Sequence, residues 1–140
     1  MENRFEEFVD QLICLTRDGT KGYRGHVGKL PEIIESIGSP VDRIIVNGCT
    51  LVLKKCSDAT RPLGIPTMVS LNPIMIDGTG MCGVCRLTVG SVTKFACVHG
   101  PDFDGHQVDW EELLHRRRAY FAEEVVPLRS SKCEEHAARL

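Results

Sequence analysis

The chain has no apolar run of the roughly 20 residues a membrane helix needs, and no block of like charge. Seventeen Lys and Arg stand against nineteen Asp and Glu, for a net charge of −2. That balance excludes nucleic acid and an anionic membrane surface as expected partners. The G-x-G-x-x-G order of a dinucleotide fingerprint is missing. The opening MENRFEEFVD does not have the basic and then apolar character of a secretory signal, so the expected compartment is the cytoplasm. Seven cysteines, an odd number without an export signal, argue against a disulfide framework and for thiols in a reducing compartment, some of them on metal. A length of 140 residues fits one domain, or one domain with an appended module.

What is present centres on Ile76 to His99, IDGTGMCGVCRLTVGSVTKFACVH. Asp77, Cys82, Cys85 and Cys97 follow the order D-x4-C-x2-C-x11-C, the plant-type ferredoxin spacing with an aspartate in the first cysteine's place. Each iron of a [2Fe-2S] cluster needs two anionic ligands besides the bridging sulfides; thiolate is the soft donor it prefers, and a carboxylate can fill one position. Gly78, Gly80 and Gly83 let the backbone turn its N–H groups toward the sulfurs without a Cβ in the way, and Met81 and Val84 are expected to shield the metal from water. A competing reading has Cys82, Cys85 and Cys97 holding zinc with His99 or Asp77. Of the remaining cysteines, Cys14 and Cys56 read as buried filler and Cys133 as a tail thiol.

The rest of the chain predicts an α/β fold. Residues 1–10 read as a short acidic helix and Gln11–Leu15 as a buried strand, followed by a turn-rich loop containing Asp18, Gly19, Gly22 and Gly25. A helix over Leu30–Ile37 starts with Pro31 and stops at Gly38. Arg43–Val46 is a second strand ending at Asn47-Gly48-Cys49, Thr50 caps a helix over Leu51–Ser57, and Thr67–Leu71 is a third strand. Strands alternating with helices predict a parallel sheet, here with too few strands to be complete. Arg86–Val89 and Val92–Ala96 form a hairpin across Gly90-Ser91 that returns Cys97 toward Cys82 and Cys85. PDFDGHQVD reads as a loop. Asp109 caps a last helix, with Glu112 completing a capping box and Trp110, Leu113, Leu114 and Phe121 as its apolar stripe before Pro127. Arg116, Arg117 and Arg118 read as a solvated face, with a docking patch for a partner subunit as the other reading, and residues 127–140 as a disordered tail.

On the phrases SLNPIMIDGTGMCGVCRLTVG and KFACVHGPDFDGHQVDWEEL, the chain resembles the small subunit of NADH-dependent ferredoxin:NADP oxidoreductase, also called the sulfide dehydrogenase subunit, a relative of the dihydroorotate dehydrogenase electron-transfer subunit. The second branch is expected to use four cysteines, so Asp77 favours the first. The resemblance implies a ferredoxin-reductase-like plan: a flavin-binding barrel, an NAD-binding α/β domain and a C-terminal [2Fe-2S] module. By that plan residues 1–72 are the C-terminal half of the NAD domain, 73–126 the cluster module and 127–140 a tail. The barrel is then outside this chain, which alone is expected not to hold FAD. The resemblance carries the cluster-ligand role to Asp77, Cys82, Cys85 and Cys97, and places Asp18, Gly19, Gly22, Gly25, Gly48 and Cys49 beside NAD(H), with Cys49 in place of the usual proline. It implies an electron-transfer module of a flavin/iron–sulfur oxidoreductase, paired with a larger iron–sulfur flavoprotein subunit and reaching ferredoxin indirectly.

Overall fold

The computed structural model describes residues 2–119 and 121–122. Its chain starts with a short surface helix, α1 (Glu2–Glu6). The expected strand over Gln11–Leu15 does not form. Only Leu15–Thr16 (β1) pairs, in parallel with Tyr23–Arg24 (β2). The apolar residues of QLICL have no larger sheet to join among the described residues: the Cys14 carbonyl accepts from the Tyr23 N–H at 2.9 Å, and its thiol faces Glu2 Oε1 at 3.6 Å. Cys14 is therefore half-buried rather than core filler, and no described residue before Val46 is buried.

After a 3-10 turn at Val27–Lys29, α2 (Leu30–Ser36) starts with Pro31 in its first turn, where the missing N–H costs nothing. Next, β3 (Ile44–Val46) and β4 (Thr67–Ser70) run parallel in the register Ile44↔Thr67, Val46↔Val69. They are joined by α3 (Thr50–Thr60). This helix is longer than the sequence suggests because its polar residues satisfy themselves on the buried side. Ser57 and Thr60 hydroxyls donate back to the Leu53 and Cys56 carbonyls at 2.9 and 3.0 Å, and Thr67 donates to Thr60 at 2.6 Å. Cys56 is buried as expected, and burial pushes its thiol pKa up.

From β4 the chain enters the cluster loop and then the hairpin of β5 (Arg86–Val89) and β6 (Val92–Phe95). The two-residue turn is the expected one, with Gly90 at φ +63°. A single turn of helix, α4 (Ala96–His99), follows. The stretch read as a loop then contributes a strand: β7 (Asp102–Asp104) pairs antiparallel with β4 in the register Val69↔Phe103. The sheet thus has the order β3-β4-β7, parallel on one side and antiparallel on the other. Gly105 makes this approach possible, since a Cβ there would stand 2.3 Å from Ser57 Oγ and 2.8 Å from Val69 Cγ1.

The last element, α5 (Trp110–Arg117), is capped by the Asp109 carboxylate, which accepts from the Glu111 and Glu112 N–H groups. The second half of the capping box does not form. Glu112 Oε2 instead accepts from the Thr88 N–H on β5 at 3.0 Å, while the Asp109 N–H donates to the Thr88 carbonyl at 2.9 Å. The helix is tied to the hairpin by both backbone polar groups of one residue. Trp110 and Leu113 are buried and Leu114 half-buried, whereas Phe121 is exposed; Pro127, Cys133 and the expected tail lie outside the described residues. One apolar cluster joins Val46, Leu53 and Val69 to Cys85, Leu87, Trp110 and Leu113. Among the described residues no helix is long and apolar enough to cross a membrane.

Candidate metal centre

The loop between β4 and β5 has the shape its glycines suggest. Gly80 has φ +86°, and a Cβ on it would stand 2.8 Å from Val98 Cγ2, so only glycine lets the loop lie against α4. Cys85 ends the loop where β5 begins, and Cys97 sits on α4 directly after β6. Pairing of Arg86 with Phe95 brings these ends together. The two sulfurs are 3.3 Å apart, near the roughly 3.7 Å expected for two thiolates on one tetrahedral metal with bonds of about 2.3 Å.

Burial opposes ionisation of Cys85, but the Cys97 N–H and thiol, the Ala96 N–H and its own N–H outweigh it and hold its pKa below the ordinary thiol value. Cys97 moves the other way, raised by its bond to Cys85, by desolvation and by the nearby charge of Cys85; the Gly80 N–H acts against this and the Asp77 carboxylate adds to it. One thiol of the pair is thus set up to ionise first.

Asp77 and Cys82 form the other part of the loop. Asp77 Oδ1 accepts from the Thr79 N–H at 2.9 Å and Oδ2 from the Cys82 N–H at 2.7 Å, which lowers the carboxyl pKa. A carboxylate has about four lone-pair sites, so these bonds orient Asp77 and leave it capacity to ligate. Cys82 is exposed, Cys85 buried and Cys97 in between. Among the described residues no three His, Cys, Asp or Glu side chains converge on one point: Cys85 and Cys97 are brought together, while Asp77 and Cys82 are joined to each other through a backbone bond. A two-iron core takes its protein ligands as two pairs, and this donor set of three sulfurs and one carboxylate, split in two, fits it. His99 does not join in. Its Nδ1 accepts from the Phe95 N–H at 3.0 Å and its ring stacks on Phe95 at 6.0 Å. Met81 does not shield the loop, being 89% exposed, whereas Val84 is half-buried.

The nucleotide candidates are scattered. Gly48 and Cys49 are exposed between the end of β3 and the start of α3, the end of a parallel strand at which α/β sheets bind ligands. Asp18 is engaged locally, accepting from the Thr20 N–H and hydroxyl at 3.1 and 2.9 Å. Gly22 packs on the chain itself, where a Cβ would stand 2.1 Å from the Cys14 carbonyl oxygen. Gly19, with φ +79°, lies against the stem of Arg24, and Gly25 donates its N–H to the Thr16 carbonyl at 2.9 Å. Sequence reading missed Arg116, whose Nη2 donates to the Val84 carbonyl inside the cluster loop at 3.0 Å.

A sulfur pair, with an oriented carboxylate in the same loop, is a donor set of the kind that holds an iron–sulfur cluster. Residues 72–109 match the family described as the iron-sulfur cluster binding domain of dihydroorotate dehydrogenase B. The chain is 43% identical over 127 residues to the dihydroorotate dehydrogenase B (NAD(+)) electron transfer subunit homolog of Thermotoga maritima, covering 90% of this chain and 44% of that one. It is 45% identical over 124 residues to an uncharacterized protein in the adh 3' region of Clostridium beijerinckii, covering 88% of this chain and 42% of that one. Among solved structures, one reported for the NADH-dependent reduced ferredoxin-NADP oxidoreductase superposes with a TM-score of 0.78 at 43% identity, covering 90% of this chain and 45% of that chain. The chain spans less than half the length of each of these relatives.

Proposed function

We propose that the chain is an electron-transfer module of a flavin/iron–sulfur oxidoreductase, built around a [2Fe-2S] cluster held by Asp77, Cys82, Cys85 and Cys97. A cluster held there would supply one-electron transfer. The residues around it supply the rest. Cys85 and Cys97 present paired soft donors; the N–H groups of Gly80, Ala96 and Cys97 stabilise negative charge on them; and the Thr79 and Cys82 N–H groups hold the Asp77 carboxylate in one orientation. The exposed edge at Met81 and Cys82 is where an electron enters or leaves without crossing the core.

In the complete enzyme, NADH would reduce FAD, with Gly48, Cys49 and the Asp18, Gly19, Gly22 and Gly25 loop beside NAD(H). The module would exchange electrons with a larger iron–sulfur flavoprotein subunit and through it with ferredoxin, in the cytoplasm. The observation that carries the proposal is the 3.3 Å approach of Cys85 and Cys97 within the D-x4-C-x2-C-x11-C pattern. The chain purified without oxygen is expected to contain iron and acid-labile sulfide near parity, with visible absorption. Asp77→Cys should keep a cluster at a changed potential. Zinc without labile sulfide would overturn this reading, and would support the rival if His99→Ala then released the metal and Asp77→Ala did not.

A further inference from the structure

The three arginines at the end of α5 are not equivalent. Arg118 is exposed at the helix end. Arg117 reaches the other half of the molecule, donating from Nη1 to the Asn72 side-chain oxygen at 3.2 Å and to the Thr50 hydroxyl. Arg116 is half-buried and turns to the cluster loop, where its bond to the Val84 carbonyl lies within C-x2-C. It lines a cavity of about 240 Å³ together with Cys82, Val84, Arg86 and Leu113.

We propose that Arg116 is a positioning residue for the cluster, fixing the Val84–Cys85 peptide so that its N–H serves the ligand sulfurs. The peptide is planar and trans, so its C=O and N–H point in opposite directions. Holding the carbonyl toward α5 turns the Cys85 N–H the opposite way, away from the helix. The helix is a firm base for this. Leu113 is buried, the Asp109 N–H and the Glu112 carboxylate bind the two backbone polar groups of Thr88, and Arg117 anchors the next position. Arg116 also brings a positive charge to the loop, which favours the state carrying the additional electron. The inference rests on the iron–sulfur reading above, but concerns a residue outside the ligand set.

The test uses the full chain, loaded and purified without oxygen, with two readouts: the midpoint potential and the electron paramagnetic resonance spectrum of the reduced protein. Arg116→Ala is expected to lower the potential, shift the g values and speed loss of iron to a chelator severalfold. Arg116→Lys, which keeps charge and a donor but not the planar fork, should recover most of the potential; Arg118→Ala should change neither readout. An Arg116→Ala protein with native potential and spectrum overturns the role, as does a Lys variant shifted as far as the Ala one. If the Ala variant does not fold, Arg116→Gln replaces it, with an intermediate shift expected and native values overturning the role. In metal-free protein, amide exchange at Val84 and Cys85 should rise severalfold in Arg116→Ala, and unchanged exchange there counts against the role whatever the metal content. A native chain without iron and sulfide overturns the iron–sulfur reading itself, whereas a loaded native chain with indifferent variants overturns only the part given to Arg116.

Discussion

The stretch before β3 and the stretch from Ile44 to Leu113 are built on different terms. The earlier stretch has its share of Ile, Leu and Val, yet none of its described residues is buried, and the strand pairing among them is the two-residue match of β1 with β2. The later stretch holds the whole buried cluster, with Leu53, Val69 and Leu87 fully enclosed. Apolar content is therefore not what separates them. What the later stretch has is return paths: β7 comes back to β4, β6 to β5, and α5 to both halves. Each return lets one apolar face cover another.

The sharpest way to break this contrast is to remove side-chain volume in each region. Leu87→Ala should cost about 2–5 kcal/mol in denaturant unfolding, as for a large-to-small change in a closed core, whereas Ile33→Ala on half-buried α2 should cost less than about 1 kcal/mol. Equal costs would mean that the early stretch is better packed than its exposure indicates. A smaller effect sharpens the account of α5. Asp109→Ala removes the acceptor for the Glu111 and Glu112 N–H groups and should cost about 0.5–2 kcal/mol, with faster amide exchange at Thr88 because the helix start slackens there.

The smallest effect belongs to the early loop. The Thr20 N–H and hydroxyl bonds lower the Asp18 pKa, so the native loop gains from ionised Asp18 above the ordinary aspartate pKa. That gain should fade as pH falls through the lower, folded value. Carboxyl titration followed by NMR should show an Asp18 midpoint below the ordinary aspartate value, and a midpoint at that value would mean that the turn does not persist in solution.

Much of this was legible because it is local. The Gly90-Ser91 turn, the Asp109 cap, the start of α2 at Pro31 and the loop spacing of Asp77, Cys82 and Cys85 each depend on residues a few places apart. Features that depend on distant partners were not. Asp102-Phe103-Asp104 reads as a polar loop, since two carboxylates flank a single buried ring; it becomes a strand because Gly105 lets it close on Ser57 and Val69. Gln11–Leu15 has the composition of a strand, yet among the described residues only Leu15 finds a strand partner. Glu112 fits a capping box, yet Thr88 competes for its carboxylate. Arg116 looks like its neighbours in the sequence, and only the docking of α5 singles it out. In the site, the sulfur pair was readable from the hairpin, whereas the exposure of Met81 and the turning of His99 toward Phe95 depend on how α4 packs.

The path from β4 to β7 has one more consequence. The main chain leaves the sheet after Ser70 and re-enters at Asp102, where the Leu71 N–H and the Pro101 carbonyl bond each other at 3.0 Å. Departure and arrival share a doorway, so the intervening segment is a cassette whose two ends are held side by side by the strands it interrupts.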